Sequence, residues 1–171
     1  RAYWHDYNHG CYFITICTKN REYFFGKIHD NKMTLSEIGL FADSYVNKIN
    51  SLYDDTHILS HIVMPNHIHL IISVVSTKCN YSNNEIIKYD IDINEKMSMI
   101  GKKRGRMSLV LSKYKSSITR YAFKNNIHFA WQTRFHDRII RNSNEFKNID
   151  NYIKNNIANW KEDEFYFTIK R

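Results

Sequence analysis

The chain has little of what breaks or staples a polypeptide. Its 171 residues include one proline, five glycines and three cysteines. So few Pro and Gly exclude collagen-like or low-complexity chains, and a hydrophobic content of 43% with 15% aromatics argues against disorder. Cys11, Cys17 and Cys79 are odd in number and lack metal-site spacing, which excludes a disulfide scaffold and a cysteine zinc site and suits a reducing compartment. The longest largely apolar stretch, residues 70–75, falls far short of the roughly 20 residues that span a bilayer. With no basic-then-apolar leader pattern either, the chain reads as cytoplasmic, without a membrane partner. It also has no His-Glu-x-x-His helix and no cluster of carboxylates beside its His pair in sequence, which argues against a metalloprotease or a phosphatase.

What is present is positive charge, in one place. The formal net charge is +8. Residues 76–141 hold 14 cationic and five anionic side chains, whereas the stretches before and after them are close to neutral. A localised excess predicts a surface for a polyanion rather than a generally basic protein. The length fits one domain over 1–171 with an insertion. Residues 76–107 are polar, rich in Asn, Ser and Lys, and close near the run Lys102-Lys103-Arg104-Gly105-Arg106, so they read as that flexible insertion.

The apolar pattern alternates between the two regular periods. Residues 11–18, CYFITICT, predict a buried strand. Thr34-Leu-Ser-Glu opens a helix that continues through Ile38, Phe41, Ala42, Tyr45, Val46 and Ile49. Residues 57–64 and 67–75 predict two strands joined at Pro65-Asn66, a tight-turn pair. A helix from Ser108 carries an apolar face beside Lys113, Lys115, Arg120 and Lys124. Residues 134–141 predict a strand, and a final helix runs from a cap at Ser143 or Asn144 to Trp160. Strands interleaved with helices around a hairpin imply an antiparallel α+β fold.

Two places carry chemistry. In His67-Ile68-His69, strand alternation puts both imidazoles on one face, as a chelating pair needs. On the last helix, Phe146, Ile149, Ile153, Ile157 and Trp160 form one apolar stripe, with Tyr152 and Asn156 four apart along its border. A phenol and an amide oxygen would then project together over a neighbouring sheet.

Four segments in this order resemble one family: residues 11–26, CYFITICTKNREYFFG; Met64-Pro-Asn-His-Ile-His-Leu-Ile; residues 131–141, WQTRFHDRIIR; and Tyr152-Ile-Lys-Asn-Asn-Ile. They are similar to the REP-associated tyrosine transposases, insertion-sequence-like single-strand transposases in the single-tyrosine branch of the HUH superfamily. The resemblance spans roughly residues 10–162, leaving 76–107 the least matched stretch. It implies a ferredoxin-like antiparallel sheet with helices on one side. It implies that His67, His69 and Asn156 hold a divalent metal, Mg²⁺ or Mn²⁺, and that Tyr152, eleven residues after Arg141, is the nucleophile. The family pattern carries Pro after the Asn; here Ile157 stands there. The implied activity is metal-dependent cleavage and strand transfer of single-stranded or hairpin DNA through a 5′-phosphotyrosine, in a bacterial, nucleoid-associated setting and with a homodimer common among relatives. Candidate phosphate contacts are Lys102, Lys103, Arg104, Arg106, Lys113, Lys115 and Arg120, then Arg134, Arg138 and Arg141. Two alternatives stay open: a host-retained nuclease acting on repeated palindromic hairpins, and a catalytically weak or inactive hairpin-binding protein of the same fold whose metal site is structural or vestigial.

Overall fold

β-branched and aromatic residues make Gly10–Cys17 the first strand, β1, of a computed structural model that describes residues 9–75 and 105–166. A short hairpin follows, β2 (Gly26–His29) and β3 (Lys32–Leu35), then helix α1 (Glu37–Leu52). Strands β4 (Thr56–Val63) and β5 (His67–Val74) flank the Pro65-Asn66 turn. Helix α2 (Arg106–Lys124), strand β6 (His136–Ile140) and helix α3 (Ser143–Asn155) complete the described residues, with a 3₁₀ turn at Trp160–Glu162.

The main sheet runs β4-β5-β1-β6 and every pairing in it is antiparallel. Setting aside the β2–β3 hairpin, the chain order is βαββαβ with the first and third strands central, which is the ferredoxin-like arrangement. Tyr12, Ile14 and Ile16 of β1 and Ile68, Leu70 and Ile72 of β5 share one core with residues of α1 and α2. The resemblance implied helices on one side only; α3 instead packs among residues of alternate parity, where Ile149 and Ile153 cluster with Ile71 and Ile140. Cover on both faces is why β5 is buried at all eight positions. Each buried isoleucine of α3 contributes about 2 kcal/mol, and together they fix that helix and Tyr152 over the sheet.

Three boundaries differ from the pattern reading. Thr34 and Leu35 belong to β3, and Ser36 caps α1 by accepting from the Gly39 amide at 3.2 Å. The tight turn at Asp30-Asn31 has positive φ at both residues, as a right-twisted hairpin requires. At Gly26, φ is 144° and an added Cβ would stand 2.1 Å from the Thr34 carbonyl oxygen, so only glycine fits. Second, α2 starts at Arg106, so Arg106 and the fully buried Met107 are helix and not insertion; residues 76–104 lie outside those described. Third, α3 is capped by Asn142, whose side chain accepts from the Glu145 amide at 2.8 Å, rather than by Ser143 or Asn144. It ends at Asn155, and Trp160 lies beyond it, packed with Cys17, Met64 and Phe165. Cys11 and Cys17 are free. Among the described residues no helix is long and apolar enough to cross a membrane.

Candidate active site

His67 and His69 open β5 on the face that α3 covers, and both are essentially inaccessible to solvent. Their Nε2 atoms stand 3.0 Å apart, and each Nδ1 has a partner of its own. His67 Nδ1 meets Asn66 Oδ1 at 2.8 Å. The Asn66 amide nitrogen donates to the Phe165 carbonyl at 2.8 Å, which fixes its oxygen toward His67. That oxygen only accepts, so His67 carries its proton on Nδ1 and turns the Nε2 lone pair toward His69. His69 Nδ1 meets the Thr15 hydroxyl at 2.9 Å, a group able to donate or accept. Thr15 and His69 are cross-strand partners in the β1–β5 register.

From α3, Tyr152 reaches the same place. Its hydroxyl lies 3.4 Å from His69 Nε2 and donates to Asp163 Oδ2 at 3.1 Å. Phe13 stands edge-on to the Tyr152 ring at 6.1 Å and tilts against His69 at 5.1 Å, so one β1 side chain wedges both. Asn156, at the C-cap of α3, is 1% exposed and donates from Nδ2 to Asp163 Oδ2 at 2.9 Å. Its Oδ1 is buried with no hydrogen-bond partner among the described residues. An orphaned buried acceptor costs about 1–3 kcal/mol and points to a group that would satisfy it. His67, His69 and Asp163 bring their ligand atoms within 4.8 Å of one another and could hold a metal ion. Two imidazole nitrogens, a carboxylate and an amide oxygen suit a divalent cation.

Burial sets the electrostatics. It pushes His69 down to about 4 and His67 well below the usual imidazole value, the latter helped by His69 and Arg21. Both rings are therefore neutral and open to a cation at neutral pH. Tyr152 is pushed up to about 12, first by burial and then by the Asp163 carboxylate. The phenol is thus held protonated at neutral pH.

The histidine shifts carry a stability consequence. An unfolded imidazole takes its proton near pH 6.5, whereas folded His69 does so only near 4, so between these values the unfolded chain holds the extra proton. Stability is then complete above about pH 6.5 and lost as the pH falls toward 4. Urea unfolding in EDTA is expected to give a stability at pH 5 lower than at pH 7.5 by roughly 2 kcal/mol from His69 alone. Equal or greater stability at pH 5 would show that the pair is not buried as neutral rings.

The described cationic candidates fall on different elements. Lys113, Lys115 and Arg120 lie on α2, whose buried residues pack into the core opposite α3. Lys115 is half-buried and donates to the Gln132 carbonyl at 2.8 Å. Arg106 is spent on Asp55 at 2.7 Å and lies over the Tyr53 ring. Arg138 is paired with Glu145 at 2.6 Å, and the other Glu145 oxygen accepts from the Arg141 amide, so both residues tie β6 to the start of α3. Arg134 is exposed. Lys102, Lys103 and Arg104 lie outside the described residues.

His67, His69, Tyr152 and Asn156, all marked by sequence spacing, converge in the fold. Asp163, Asn66, Thr15 and Phe13 join them without any such mark in the sequence. Asp163 follows the apolar period of the last helix in a polar stretch with no spacing to mark it, and Asn66 read only as a turn residue.

Comparison with known proteins agrees with this architecture. A Haemophilus influenzae protein described as uncharacterized is 30% identical over 163 residues, covering 92% of this chain and 85% of its own length. A solved structure of the REP-associated tyrosine transposase bound to a REP hairpin matches 94% of this chain and 72% of that one, with a TM-score of 0.58 at 17% identity. No protein-family model matches.

Proposed function

We propose that this chain, which belongs to one family with the Haemophilus influenzae protein and has the fold of the REP-associated tyrosine transposase, is a metal-dependent DNA strand-cleaving and strand-transfer enzyme. Its substrate is a single strand at the foot of a DNA hairpin. The observation that carries this reading is that the Tyr152 hydroxyl meets His69 and Asp163, beside His67 and an Asn156 amide oxygen that has no partner among the described residues. The solved relative in complex with a REP hairpin supports the choice of substrate.

His67, His69 and Asn156 would hold a divalent cation, with Asp163 as a fourth group. Such a cation would supply charge to polarise the scissile phosphate and to offset Asp163 beside the phenol. The Tyr152 oxygen attacks the phosphorus in line. The Oη–P bond forms, the P–O3′ bond breaks, and the leaving oxygen takes a proton to become a 3′-hydroxyl. Asp163 Oδ2, which accepts the phenol hydrogen bond, stands where the tyrosine proton departs. The 5′-phosphotyrosine keeps the phosphodiester energy, so a second 3′-hydroxyl can reverse the step without ATP. A stacked duplex would deny a helix-borne side chain this approach, whereas a single strand admits it.

Incubating labelled hairpin DNA bearing a single-stranded foot with the protein and Mn²⁺ is expected to give a covalent species stable to denaturation, absent in EDTA. Binding without any covalent species would instead support the inactive hairpin-binding reading. Asp163→Asn preserves the shape of the side chain but removes its charge. It is expected to weaken Mn²⁺ affinity by about tenfold or more by calorimetry. Unchanged affinity would remove Asp163 from the metal group.

A further inference from the structure

A second feature lies away from this site. A groove of about 600 Å³ runs along the outer side of α2 against residues 133 and 135. Ser112, Ser116, Thr119 and Phe123 recur at spacings of four, three and four, so they form one stripe along its wall, with Lys115 and Arg120 beside them. The groove has no acidic lining residue, and α2 carries five cations and no carboxylate. Phe123 is 83% exposed, the most exposed of the large apolar side chains among the described residues, and its ring stands at the end of the stripe. Hydroxyls and cations together suit phosphodiester oxygens, and a solvent-facing ring suits an unstacked base.

We propose that this groove binds the single-stranded DNA that continues from the hairpin, with Phe123 stacking on a base and Arg120, Ser112 and Ser116 holding the backbone. This rests on the DNA-cleaving reading and adds to it where the flanking strand lies. The topology provides a route between the two places. Residues 133–135 lead directly into β6, the open edge of the main sheet. On β6, exposed His136 is paired with Thr15, and Thr15 with His69, so His136 stands on the same face as the active site. A strand leaving the groove therefore reaches the site by turning around this edge.

The test is fluorescence anisotropy with the full chain in EDTA, so that no cleavage occurs, using a hairpin with a single-stranded oligothymidine tail and the same hairpin with a blunt end. Wild type is expected to bind the tailed form about tenfold more tightly. Phe123→Ala should remove most of that preference and leave blunt-hairpin affinity unchanged, while Phe123→Trp should keep it. No preference in wild type, a preference left whole by Phe123→Ala, or equal loss on both DNAs would overturn the proposal. Covalent-species formation with Mn²⁺ is scored separately: its absence with the tail preference intact would sink the cleavage reading and leave the groove assignment standing.

Discussion

Tyr152→Phe is expected to abolish the covalent DNA–protein species, a loss of at least roughly 10³-fold, because the variant has no oxygen to attack phosphorus. Little else should change. The ring is 41% exposed and keeps its edge-on packing against Phe13; only the hydroxyl contacts to His69 and Asp163 are lost. Asp163 keeps its bonds from Asn156 and from the Phe165 amide, so no buried acceptor is stranded. The cost in stability should stay within about 0.5 kcal/mol, and hairpin binding in EDTA should be unaltered. Unfolding curves and anisotropy on the same preparation check both. A variant that still formed the species would place the nucleophile elsewhere.

His67→Ala should act on the metal and, through it, on the reaction. A cation that binds only the folded chain stabilises it by about 2.7 kcal/mol at a hundredfold excess over its Kd. For a chain of this size that raises Tm by roughly 5 to 10 °C. Wild type is expected to show this rise with Mn²⁺ and His67→Ala to show none. The variant will also start from a lower Tm, since it opens a cavity and leaves Asn66 Oδ1 without its partner, at about 1–3 kcal/mol. The comparison within each protein, with and without Mn²⁺, separates this structural cost from metal binding. An equal Mn²⁺-dependent rise in both proteins would show that His67 holds no metal.

The parts of the fold legible in the sequence are those where one period persists. The β1 and β5 runs are long, β-branched and buried, and the Pro65-Asn66 pair marks their neighbouring turn. The His-x-His spacing then fixed two ring directions at once, because alternation on a strand allows no other outcome. Where short range failed, the cause was physical. β2 and β3 have four residues each and mix Lys, His and Thr with few apolar positions, so no strand period marks them and neither is predicted from the sequence. On α3 the apolar period runs on through Ile157 and Trp160 after the helix has ended, because those residues pack in and beside a different cluster around Cys17 and Met64. Asp163 meets His67 and His69 only through the tertiary fold, across nearly a hundred positions, and no local pattern encodes that. Charge misled in a different way: Arg106 and Arg138 count toward the basic excess, yet their salt bridges to Asp55 and Glu145 commit them within the fold.

The central claim is that Tyr152 is the residue that takes the DNA strand. Its most direct test is peptide mass spectrometry on the covalent species formed with Mn²⁺, after nuclease trimming of the DNA. The expected result is a 5′-phosphonucleotide remnant on the peptide containing Tyr152, absent when EDTA replaces Mn²⁺. A remnant on any of the other eleven tyrosines, or a cleaved strand with no remnant on protein, would contradict it.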